Sequence, residues 1–208
     1  MDTPSQTKAL LSGYLDSVRE AVLWKVDGLD EPALREPYTP TGTNLLGLVK
    51  HLAAVEYGHF QMGFGRPYPD LPHLRMDADR MSDFYATAEE SADQVVRTYR
   101  DAIAASRQTC EELQLDAVAR VPWRTEPMTL EQVLLHVTVE TARHAGHADI
   151  VREQVDGMAG LNAANGNLSG PGAPRDGDPF WDEHLMHLRT LAKQAAVGGL
   201  GTGTKEEQ

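Results

Sequence analysis

The chain has 208 residues, 41% hydrophobic and 24% charged, which is ordinary globular usage and far from disordered compositions. Its 19 Lys and Arg against 31 Asp and Glu leave a net charge of −12, which argues against nucleic acid or an anionic membrane as partner. The single cysteine, Cys110, allows no internal disulfide, and the first residues lack a basic-then-apolar leader, so a cytoplasmic location is expected.

Thr3-Pro4 signals a first helix, a capping residue followed by proline at the first helical position. That helix carries Leu11, Leu15, Val18 and Val22 and closes at Gly28. Pro32, Pro37, Pro40 and Gly42 mark a loop, with Thr43 or Asn44 as cap for a second helix over about 45–64. Residues 65–73, with three prolines, form a connection. Between His73 and Val121 there is neither Gly nor Pro, and Phe84, Val95, Tyr99, Ile103 and Leu113 recur at helical spacings. One long helix over about 82–115 is therefore predicted. Thr129 followed by Gln132 is a capping-box spacing that opens a fourth long helix, stopped by Gly157.

No segment alternates with period two, so the fold expected is all-α, a four-helix bundle. Residues 1–157 form the bundle, and residues 158–208 an extension of glycine-rich arm, short amphipathic helix and tail. Residues 157–178 alone hold six glycines. The extra helix, about 180–197, carries Phe180, Trp181, Leu185, Leu188 and Leu191. That stripe is expected to dock, either across its own bundle or onto a second subunit in a homodimer.

The histidines are the informative residues. His136, Glu140, His144 and His147 are separated by 4, 4 and 3 and fall within an arc of roughly 80° on the fourth helix. Val133, Val137 and Val151 lie in or beside that arc, so pairing or a metal must satisfy its polar groups. On the second helix His51 and His59 project from the apolar face of Leu45, Leu48, Leu52 and Val55 or from its edge. Facing stripes of His and Glu are how metal sites are built inside helical bundles. Nitrogen and carboxylate ligands suit zinc, with nickel and iron as alternatives. Spacing does not choose among His136, Glu140, His144 and His147, and a core histidine bonded to a backbone carbonyl is the plainer reading of any one of them.

The segments TGTNLLGLVKHLAAVEYGHF (41–60) and ETARHAGHADIVREQVDG (140–157) together resemble the DinB-like metal-dependent bundle family, and within it the actinobacterial mycothiol-dependent transferases and isomerases. The resemblance covers about residues 5–160. It implies a metal held by His51, Glu140 and His144, with His147 one turn further on, and mycothiol as co-substrate. It implies no DNA binding.

The chemistry so implied is that of a metal-dependent thiol transferase. A cation with an open coordination position would favour the thiolate of a small thiol, which then attacks an electrophilic carbon. A metal-dependent hydrolase and a non-catalytic metal- or ligand-binding bundle are the competing readings. Trp123, in the turn PWRTEP, is a packing anchor or the wall of a pocket mouth, and Arg143, like Arg66, offers a guanidinium to a substrate carboxylate. Trp123 and Arg143 are therefore the candidates for co-substrate contact. His184 and His187 read as the edge of an amphipathic helix, His73 and His136 as structural or solvent-facing, and Cys110 as no nucleophile.

Overall fold

A computed structural model describes residues 4–69, 79–166 and 179–198. Helix α1 (Pro4–Val26) is followed by a short α2 (Glu31–Arg35), which Asp30 caps by accepting from the Ala33 N–H. Helix α3 (Leu45–Glu56) runs without a break into a π-helical turn, Tyr57–Met62. Helices α4 (Ala92–Glu112) and α5 (Leu130–Asp156) complete the bundle, and α6 (Pro179–Gly198) stands in the extension. Between α4 and α5, β1 (Val118–Ala119) pairs antiparallel with β2 (Met128–Thr129). Helix α1 packs along α5, and α3 along α4.

The caps explain the boundaries. Asn44, not Thr43, caps α3 and accepts from the Gly47 N–H at 2.7 Å. Thr129 and Gln132 form the expected capping box, and Gly157, at φ +76°, ends α5 in the left-handed conformation.

The predicted helix over 82–115 is corrected at its start. Helix α4 begins only after Ser91, whose hydroxyl accepts from the Gln94 N–H while the Gln94 side-chain oxygen accepts from the Ser91 N–H, a second capping box. Residues 79–90 form turns instead, because tertiary donors take the carbonyls a helix would need. Asn44 donates to the Phe84 carbonyl, Lys50 to that of Tyr85, and Arg35 to those of Ala86 and Thr87. Gly47 makes this approach feasible, since a Cβ there would lie 1.8 Å from the Phe84 oxygen.

The core has two parts. One gathers Leu45, Leu46, Val49, Leu52, Tyr99, Ile103 and Val151, and the other Leu15, Phe60, Cys110, Leu130, Leu134 and Val137. Between the helices lies a buried ion pair, in which Arg19 donates to both Glu56 oxygens at 2.7 and 2.6 Å. Burial alone would lower the Arg19 pKa, and the Glu56 carboxylate more than reverses this, holding it above the ordinary value. Breaking such a pair from one side costs about 3–5 kcal/mol.

Phe180, Leu185, Leu188 and Leu191 stay 40–46% exposed along α6. Residues 167–178 and 199–208, most of the expected arm and tail, and His73 lie outside the described residues. Among the described residues no helix is long and apolar enough to cross a membrane.

Candidate functional site

Helices α3 and α5 run antiparallel past one another, and their polar side chains meet in order along the shared groove. His51 of α3 faces Glu140 and His144 of α5. One potential ligand atom from each of the three lies within 4.8 Å of the others. His51 Nε2 is 3.6 Å from Glu140 Oε1, and His144 Nε2 is 3.1 Å from the same oxygen. His51 Nε2 is buried and has no hydrogen-bond partner. An orphaned nitrogen beside a second imidazole and a carboxylate fits a divalent cation with mixed nitrogen and oxygen ligands.

The orientation of His51 is imposed from the 79–90 segment. Asp83 Oδ2 sits 2.7 Å from His51 Nδ1, which leaves Nε2 to point into the groove. Asp83 is only 3% exposed, and the Phe84 ring stacks on the imidazole at 4.1 Å. A carboxylate behind a histidine in this way fixes its tautomer and raises its basicity as a ligand. Sequence reasoning missed Asp83, because the helix predicted there would have carried it elsewhere. The available signal was the Ser91-x-x-Gln94 box, which starts the helix after Asp83.

On α5, His144 turns its other nitrogen to His147 Nδ1, 3.3 Å away. Burial and the neighbouring His51 lower the His144 pKa. Burial would raise the Glu140 pKa, but the bond from His144 prevails and the carboxyl sits below its ordinary value. The expected buried stripe is graded: His144 is buried, His136 and Glu140 half-buried and His147 exposed.

Next along the groove, His59 and His136 form a pair that the sequence reading left apart. Their rings lie 4.9 Å centre to centre. His59 is 3% exposed, donates from Nδ1 to the Val55 carbonyl at 2.9 Å, and leaves Nε2 buried without a partner. Burial pushes its pKa down to about 4, so the ring is neutral at pH 7. The π turn is what brings it here. Eight residues of α-helix rotate a side chain by about 80°, whereas a wider turn advances each residue through a smaller angle and keeps His59 on the His51 side. Trp123 meets His59 edge-on at 5.4 Å and lies over Gly58, where a Cβ would come within 2.3 Å of the indole.

On the other side of the His51–Glu140–His144 trio a cavity of about 470 Å³ opens, with Leu48, Met81, Phe84, Tyr85, His144 and His147 in its wall. Arg143 is exposed, about 100° around α5 from His144, and no contact ties it to the trio. His184 and His187 stand on exposed α6, and Arg66 pairs with Glu112 at 2.5 Å. Burial pushes the Cys110 thiol up to about 12, which removes it as a nucleophile.

A family model described as mycothiol-S-transferase matches residues 10–157, the bundle from the first helix to the cap of α5. The chain belongs to the mycothiol-S-transferase family. No curated protein matches the sequence significantly. Among solved structures, a conserved protein from Enterococcus faecalis is similar in fold, with a TM-score of 0.52 at 16% identity over 71% of this chain and 95% of that one. Membership in the family and the all-α bundle agree with the resemblance carried by residues 41–60 and 140–157.

Proposed function

We propose that this family member is a metal-dependent thiol S-transferase, with His51, Glu140 and His144 as ligands to a divalent cation, zinc by choice of donors. The observation that carries the proposal is the buried, unpartnered His51 Nε2, held by Asp83 toward Glu140 and His144. Two neutral imidazoles and one carboxylate leave about one unit of positive charge on a divalent ion and at least one position open. A cation held there favours thiolate over thiol at neutral pH.

The rest of the work falls to the chain. Asp83 and Phe84 hold the His51 ring, His147 supports His144, and Leu48, Met81 and Phe84 exclude water around a carbon electrophile in the cavity. In the reaction the thiol yields its proton to solvent and its sulfur bonds the electrophilic carbon. A halide then leaves, or an opened epoxide oxygen takes up a proton. Mycothiol as the thiol follows from the family. Residues 1–157 supply the reaction and 158–208 an appendage, whose exposed stripe a second subunit in a homodimer would cover. A cytoplasmic setting suits a small thiol as co-substrate.

The test is elemental analysis of the purified protein, followed by conjugation of mycothiol to a bromobimane with and without chelator. Bound metal with chelator-sensitive conjugation supports the proposal. Conjugation untouched by removal of all metal overturns it.

A further inference from the structure

The groove between α3 and α5 has unlike ends, with the His51–Glu140–His144 trio between them. Beyond His144 the wall combines Leu48, Met81, Phe84 and Tyr85 with Thr41, Thr43 and Asn44, and most of its exposed area is apolar. Beyond Glu140 stand His59, His136 and Trp123. Among the described residues this second histidine pair completes no set of three potential metal ligands, so a second cation does not account for it.

Its chemistry is that of an acceptor. His59 Nδ1 is committed to the Val55 carbonyl, and Nε2 offers a lone pair with nothing bound to it. An unsatisfied buried acceptor costs stability, and a neutral one is satisfied by a neutral donor such as a hydroxyl. Both ring partners of His59 reach the surface: His136 is half-buried, and Trp123 is 57% exposed on the 122–127 turn. An aromatic ring with an apolar face, beside fixed acceptors, suits a ring that is apolar on its faces and hydroxylated on its edge.

We propose that His59, His136 and Trp123 form a subsite for the sugar end of the thiol co-substrate, opposite the apolar cavity that receives the electrophile. The inference rests on the thiol-transfer reading. Mycothiol carries its cysteine on a glucosamine–inositol unit, so a sulfur placed at the trio has two ways to lay its tail. At the His59 end the tail's hydroxyl groups meet a buried imidazole nitrogen that has no other hydrogen-bond partner, beside an indole that is 57% exposed. His136 brings a second imidazole edge, and the indole supplies a platform.

Titration calorimetry on the zinc-loaded, full-length protein tests this with two thiols, mycothiol and N-acetylcysteine, the latter lacking the sugar. His59→Phe keeps an aromatic ring in place and removes the acceptor. It should weaken mycothiol about tenfold, the worth of one good hydrogen bond, and leave N-acetylcysteine within about twofold. Trp123→Leu, on an exposed turn, should show the same selectivity and does not depend on how His59→Phe folds. Equal losses for both thiols, or an undiminished mycothiol affinity in both variants, would overturn the subsite. Wild-type protein that holds zinc and binds neither thiol would instead bring down the thiol-transfer reading, and the subsite with it.

Discussion

The two histidine layers along α5 are built from the same residue type, facing α3 and the π turn that continues it, yet among the described residues only one gathers a set of three potential ligands. His51 has its Nδ1 engaged by a side-chain carboxylate and meets Glu140 with the other nitrogen. His59 has its Nδ1 engaged by a main-chain carbonyl and meets a second imidazole. The first layer has a carboxylate on each side, Asp83 behind the His51 ring and Glu140 across from it. In the second layer, which lacks one, burial keeps His59 a neutral acceptor. The atoms behind a histidine and across from it, rather than the histidine itself, set what it can hold.

Removing the trio's own imidazole breaks the contrast most severely. His144→Ala should lower zinc affinity by more than about 100-fold, beyond the 10–100-fold expected from loss of an outer partner. Competition against a chromophoric chelator measures it, and the bundle should keep its helical circular dichroism. Unchanged affinity would mean that the cation sits elsewhere.

Acid should separate the layers next. The folded His59 pKa of about 4 lies below the ordinary 6.5, so between these values the unfolded chain binds the extra proton and stability falls as pH drops. The loss approaches about 3 kcal/mol by pH 4, the product of the shift and roughly 1.4 kcal/mol per unit. Urea melts of the metal-free protein from pH 7 to 4 measure it, and His59→Phe should remove that part of the slope. A wild-type profile no steeper than that of the variant would contradict the burial argument.

Asp83 sharpens the comparison from the other side. Asp83→Asn should weaken zinc binding about 10- to 100-fold while leaving the His59 acid profile untouched, and Asp83→Glu should recover part of the loss. A change in the acid profile instead would show that the layers are coupled through the fold.

The smallest effect falls on the support of the 79–90 segment. Ser91→Ala removes one capping bond and should cost about 1 kcal/mol of stability, read as a fall of a few degrees in Tm. Zinc affinity should follow only weakly, since Asn44, Lys50 and Arg35 hold the segment independently.

How far the sequence could be read follows from the range of the forces involved. Helix α5 was legible because its start, face and stop are local: Thr129 with Gln132, the His–Glu stripe, and Gly157. The convergence of His51 with Glu140 and His144 was legible from two faces and a resemblance. The 79–90 segment was not, because its conformation is decided by donors 35 to 52 residues away in sequence, from Arg35, Asn44 and Lys50. The π turn and the His59–His136 pair likewise depend on packing that no periodicity encodes. The hints were two glycines inside an otherwise strong helical pattern, Gly47 and Gly58, each marking where something from another segment comes close.

The π turn at Tyr57–Met62 also has a consequence for how such a groove changes over generations. A π turn is an α-helix that has gained one residue without losing its ends. A chain shorter by one codon in that stretch would wind tightly to its end. With the codon lost after position 59, eight residues of α-helix would turn His59 about 80° away from His51, whereas with it lost before, seven residues would leave the ring on the same side. Loss of a single triplet, with no substitution anywhere, would therefore keep or remove the second histidine layer according to its position, while sparing the trio. Length, and not residue identity, becomes the heritable variable that sets how many rungs the groove has.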